Sequence, residues 1–157
     1  MMANQELLGG IEIFSPDKAL GTATVYQTAT NSINMKNYRG VLAVLVLNSA
    51  GTAHAVTMKE GTTSTASTAL AFTKYWYKTT AGWTEGTAGS NTFNADGATA
   101  SVFAVPVTGD MLTKTAEAEA SYVRMDVAAQ TATASSLFYI CYGPRYGGNP
   151  AAMPSIT

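Results

Sequence analysis

Residues 40–48, Gly-Val-Leu-Ala-Val-Leu-Val-Leu-Asn, are apolar without interruption from Val41 to Leu47. A strand with one face in water alternates apolar and polar side chains. This run is apolar at both parities, which requires cover on both faces. It therefore reads as the central strand of a β-fold. A bilayer span needs about 20 apolar residues, so no membrane segment is expected here. Residues 135–142 (SSLFYICY) have the same two-sided character and read as a second central strand.

Around these two runs the chain alternates with period 2 between turn-forming residues. Residues 11–14 (IEIF) and 22–29 (TATVYQTA) read as strands ahead of the central run. After the turn Asn48-Ser49-Ala50-Gly51, residues 53–60 (AHAVTMKE) set His54, Val56 and Met58 against Ala55, Thr57 and Lys59. Those residues are expected to form a hairpin with residues 40–48. The small, polar stretch Gly61 to Thr68 is a surface loop. Residues 69–78 (ALAFTKYWYK) form a strand with Tyr75 and Tyr77 opposite Trp76. Gly82 to Gly97 is rich in Gly, Asn and Thr, and Asp96-Gly97 is a hairpin-type turn signal. Residues 98–108 (ATASVFAVPVT) form another strand, whose Pro106 lacks an N–H and so belongs at an edge or a bulge. Residues 110–119 (DMLTKTAEAE) are the one helix candidate, with Asp110 as its cap. Residues 121–128 (SYVRMDVA) point Val123, Met125 and Val127 inward and Tyr122, Arg124 and Asp126 outward. Seven or eight such strands in about 150 residues predict an all-β, single-domain antiparallel β-sandwich or jelly roll over residues 11–143. Residues 1–10 and 144–157 have no partner in the pattern and read as extended N- and C-terminal arms.

Composition narrows the function. The 157 residues suit one core. Charged residues make up 12%, about half the usual share. With a net charge of -1 there is no basic surplus to neutralise a phosphate backbone, so nucleic acid is not an expected partner. Hydrophobic residues at 46% and aromatic ones at 10% supply a core rather than a disordered chain. One cysteine allows no internal disulfide. The stretch Met1 to Gly10 has neither a basic n-region nor an apolar h-region, so no signal peptide is expected and synthesis is assigned to a cytoplasm.

The search for chemistry returns little. One histidine and one cysteine cannot build a zinc site from N and S ligands. The stretch Asn94-Ala95-Asp96-Gly97 lacks the leading carboxylate and closing Glu of a calcium loop and reads as a turn. A Cys141–His54 pair would need a shared cleft. Alternation instead groups Cys141 with Leu137 and Tyr139, and His54 with Val56 and Met58, as packing. Glu117 and Glu119 lie in an alanine-rich segment without an aromatic groove, so they read as solvated charge rather than a glycosidase pair. No G-x-S-x-G elbow, P-loop or dinucleotide fingerprint occurs. No catalytic residue, metal or cofactor is expected, and the chain does not read as an enzyme.

Two groups of residues remain as contact candidates. Tyr75, Trp76, Tyr77 and Trp83 can serve as core and rim packing, as a protein interface, or as a platform for sugar rings. Gly143-Pro144 ends the last strand, which makes Arg145 and Tyr146 the first groups positioned to meet a neighbour. Leu7, Leu8, Pro150 and Met153 are the further candidates on the arms.

A resemblance gives these features a setting. Asn37-Tyr38-Arg39-Gly40 leading into Val41 to Leu47 resembles the way small head proteins of tailed bacteriophages enter a buried strand. Val56-Thr57-Met58-Lys59-Glu60-Gly61, running into a small-residue loop, is similar to their next strand. Ser121 to Val127 is similar to their penultimate strand, and Gly143-Pro144-Arg145-Tyr146 resembles the turn that closes the last. The resemblance covers residues 30–60 and 120–147. It implies a capsid decoration (cement) or auxiliary head protein: a virion structural protein that binds the major capsid protein on the outer capsid surface and stabilises the shell. Such proteins commonly assemble as trimers or dimers, and their arms gain contact area on a neighbour. A different class of function, a phage surface or tail-associated module that binds host glycans through Trp76 or Trp83, fits the same aromatics.

Overall fold

A computed structural model describes residues 11–14, 32–47, 53–97, 100–114, 120–128 and 135–144. Among them run eleven strands: β1 (Ile11–Phe14), β2 (Ile33–Asn34), β3 (Tyr38–Leu47), β4 (His54–Gly61), β5 (Thr68–Ala69), β6 (Lys74–Thr79), β7 (Gly82–Thr87), β8 (Thr92–Ala95), β9 (Val102–Thr108), β10 (Tyr122–Val127) and β11 (Ser135–Pro144). They form two antiparallel sheets, so the chain is an all-β sandwich. The six-stranded sheet has the order β1-β11-β3-β9-β6-β7. In the five-stranded sheet, β4 pairs with β10 on one edge and with β8 and β5 along the other, while β2 pairs with β10.

The uninterrupted apolar run is β3, and it occupies the middle of the larger sheet. Both its edges are paired, to β11 with Leu42 opposite Ile140 and to β9 with Leu42 opposite Pro106. Its odd positions, Val41, Ala43, Leu45 and Leu47, are buried against the other sheet. Phe103, Val105 and Val107 of β9, and Leu137, Tyr139 and Cys141 of β11, continue that inner layer. Val56 and Met58 of β4, Phe93 of β8, and Val123, Met125 and Val127 of β10 face them across the core. A hydrogen bond joins the layers directly. Tyr139 of β11 accepts the Met125 N–H of β10 at 2.9 Å through its buried hydroxyl. The pairing of β2 with β10 stops at Val123, so the phenol supplies an acceptor where no strand does.

Several sequence expectations are corrected. Residues 40–48 and 53–60 do not form a hairpin, because β3 and β4 belong to opposite sheets. The two-sided run needs a partner on each edge, and β11 and β9 supply both. Asp96-Gly97 likewise does not close a hairpin, since β8 pairs with β4 and β9 with β3. Pro106 lies in an interior strand. The pairing of β9 with β6 covers only Val102 to Ala104, however, so Pro106 sits past its end, where no β6 acceptor is lost. Gly82 to Gly97, in which the sequence marked no strand, contains β7 and β8. The helix over residues 110–119 reduces, in its described part, to one 3-10 turn at Gly109–Met111. Glu60, buried at the end of β4, accepts the Thr113 N–H at 2.8 Å and the Thr113 hydroxyl. That bond captures the donor a helix would direct back to Gly109. Gly143-Pro144 does not end β11 early, because Pro144 still pairs with Tyr38 and Gly143 bends the strand at φ +63°. The expected strand at 22–29 and the arms, residues 1–10 and those beyond Pro144, lie outside the described residues.

Replacing Tyr139 by Phe leaves the Met125 N–H buried without its acceptor. Denaturant unfolding should show a loss of about 1–3 kcal/mol. An unchanged midpoint would mean the two sheets are not joined through this bond.

Candidate functional site

The even positions of β3 point away from the core, and register carries their row across the larger sheet. Phe138, Val44, Ala104, Trp76 and Glu85 stand side by side on β11, β3, β9, β6 and β7. The next row is Ser136, Val46, Val102, Lys78 and Trp83, and on the other side lie Ile140, Leu42 and Pro106. Tyr142, Gly40 and Thr108 close the pattern. The ring of Tyr142 occupies the space a Cβ on Gly40 would need, so glycine there lets the phenol lie flat over β3. No charged residue occurs at any outer position of β3, β9 or of β11 from Ser136 to Tyr142. Val44 and Ala104, side by side in the row, are buried at 6% and 4% exposure. Leu42, Val46, Val102, Pro106, Phe138 and Ile140 are half-buried. The charges begin at the margin, where Lys74 and Glu85 form an exposed ion pair at 2.8 Å.

The outer face of the smaller sheet is of the opposite kind. Ala55, Thr57 and Lys59 of β4, Thr92 and Asn94 of β8, and Tyr122, Arg124 and Asp126 of β10 occupy it. Arg124 Nη2 donates to Asp126 Oδ2 at 2.8 Å, and its Nε lies 2.6 Å from Oδ1 but off the hydrogen-bond line. Asn34 Nδ2 donates to the Tyr122 hydroxyl at 3.3 Å. This face is polar, but it is not open to water at Arg124, which is buried; its Nε and Nη1, and Asp126 Oδ1, lack a hydrogen-bond partner among the described residues. The apolar face of the larger sheet is therefore the candidate site.

The four aromatic candidates divide between the two sides of β6 and β7. Trp76 and Trp83 are exposed, at 39% and 54%, and share the outer face. Tyr75 and Tyr77 leave the exposed set and pack on the core. Tyr75 stacks on Phe93 with ring centroids 4.0 Å apart, and Tyr77 on Phe103 at 6.2 Å. Burial, and then the neighbouring Tyr77, push the Tyr75 phenol above its ordinary value. Gly86 lies opposite Tyr75 because the ring fills the space its Cβ would take. Arg145, Tyr146, Pro150, Met153, Leu7 and Leu8 lie outside the described residues. Sequence reading missed the outer row of β3, β9 and β11 as a site. The signal was present in the two-sided apolarity of residues 40–48, which was read only as a demand for cover.

Of the residues weighed for catalysis, the two described ones, Cys141 and His54, are both buried. Cys141 has no exposed surface, and buried His54 is bonded through Nδ1 to the Ala128 carbonyl at 3.0 Å. Glu117 and Glu119 lie outside the described residues. Among the described residues, no three of His, Cys, Asp or Glu gather as metal ligands. Comparison with known proteins finds no family model, no curated protein and no solved structure that matches this chain.

The division of the aromatics has a measurable consequence. Tyr75→Ala should lower unfolding stability by about 2 kcal/mol or more, since it opens the core. Trp83→Ala should change it by about 0.5 kcal/mol or less. Equal losses at both positions would contradict the assignment of the two faces.

Proposed function

We propose that the protein is a virion structural component of a tailed bacteriophage, a decoration or cement protein that binds the major capsid protein on the outer surface of the head. In this reading it is no enzyme and uses no cofactor. It acts by docking and clamping as a small homo-oligomer, a trimer or a dimer. The observation that carries the reading is the uncharged, apolar outer face of β11, β3 and β9. An interface core is depleted in charge and enriched in aromatic residues, with polar groups at its rim. Phe138, Ile140, Leu42, Val44, Val46 and Trp76 supply the first, and Lys74, Lys78 and Glu85 the second. The phage-head setting rests on the sequence resemblance. Repetition over a lattice lets modest single contacts add up through avidity.

A glycan-binding module is the second reading, favoured by the exposure of Trp76 and Trp83 on one face. Flat indole surfaces suit sugar rings as well as proteins. The test adds purified protein to shells that lack it and follows their survival of heat and low osmolarity. The proposal expects survival to rise. Shells unchanged by saturating protein, together with a Trp76- and Trp83-dependent signal on a glycan array, would replace the first reading with the second.

A further inference from the structure

We propose that the apolar outer face of the six-stranded sheet is the site where a second copy of this chain docks, sheet to sheet, as a twofold dimer. The inference deepens the reading above, because it names the partner and the surface of the homo-oligomer that reading assumes. Sheets in a sandwich pack about 10 Å apart with strands within about 30° of each other. The outer face presents the same kind of surface as the inner one.

Three features favour a second copy. The first is size. Five strands spaced about 4.8 Å apart, over about seven residues of about 3.4 Å rise, give about 570 Å² per copy. A pair therefore buries about 1,100 Å² before side-chain relief is counted, which clears the size of about 1,000 Å² that specific interfaces require. The second is charge. A closed twofold contact sets each patch against itself, so any charge at its centre would meet its own sign. Here the centre carries none, and a net charge of -1 per chain leaves almost no long-range repulsion between copies. The third is a filled centre. Val44 and Ala104, between Phe138 and Trp76 in a single row, are already buried at 6% and 4% exposure. A facing sheet therefore meets a closed apolar surface there and contacts it through the half-buried side chains around it. Trp83, two positions along at the margin, lies at the rim of such a contact.

Sedimentation of the full-length chain over a concentration series tests the inference, with tryptophan emission read on the same samples. The expected result is a dimer whose emission moves to the blue as Trp76 is covered. Ile140→Lys, on the β11 side of the face, should give a folded monomer, with dimer dissociation raised about 100-fold or more by two desolvated ammonium groups. Trp76→Ser, at the margin, decides the matter if Ile140→Lys fails to fold, and should also weaken the dimer. A wild-type monomer at every concentration would overturn the proposal. So would a trimer, which one isologous face cannot build, or a variant that dimerises as the wild type does. A monomeric wild type destabilised by Ile140→Lys would show that the chain covers this face with its own residues. Failure here is distinct from failure of the phage-head reading. A monomer that stabilises shells keeps that reading and removes the dimer, while a dimer that ignores shells does the reverse.

Discussion

Strand β3 must be covered on both edges and on both faces, and the remaining architecture follows from how each demand is met. Its edges are met by β11 and β9, which fix its register from Tyr38 to Leu47. Its inner row is met by the smaller sheet, through Met58, Val123 and Met125, with the Tyr139 hydroxyl bonded across the gap. Only the outer row lacks a third layer among the described residues. A sandwich of two sheets has one interior, and β3 carries apolar side chains enough for two.

The two sheets are consequently unequal in what they offer to the outside. The five-stranded sheet places threonines, asparagine and the Arg124–Asp126 pair on its outer face, polar groups of which Arg124 is itself buried. The six-stranded sheet turns Leu42, Val44, Val46, Phe138 and Ile140 outward, groups that gain from leaving water. A fold that invests in a rigid central strand and leaves one side of it apolar is suited to assembly. The pairing comes from within the chain, and it holds the apolar outer row in register. Tyr142 lying over Gly40, and Val44 seated between Phe138 and Ala104, show side chains already ordered across that surface.

Much of this was legible in the sequence at the level of strands and faces, and little at the level of pairing. Alternation correctly separated Val123, Met125 and Val127 from Tyr122, Arg124 and Asp126, and set Tyr75 and Tyr77 opposite Trp76. Those are local properties of a pleated chain. Pairing is not local. Neighbouring strands β3 and β4 invite a hairpin, but β3 is worth more between two apolar strands than beside the polar outer face of β4. The chain therefore changes sheets after every strand except β4 and β6. The strands β7 and β8 were hidden because Gly, Thr and Asn carry little strand preference of their own. They become strands through partners, with Gly86 under the ring of Tyr75 and Phe93 stacked on it. The first turn of the helix expected after Asp110 was lost to a contact that spacing cannot reveal, a buried Glu60 some fifty residues away in the chain.

The central claim is that the outer face of β11, β3, β9 and β6 is an interface rather than a water-facing surface. Hydroxyl-radical footprinting of the full-length chain, residue by residue and across a dilution series, reads this directly. The account predicts that Phe138 and Trp76 are shielded at high concentration and become reactive on dilution, while Trp83 at the rim stays reactive throughout. Phe138 and Trp76 as reactive as Trp83 at every concentration would contradict it.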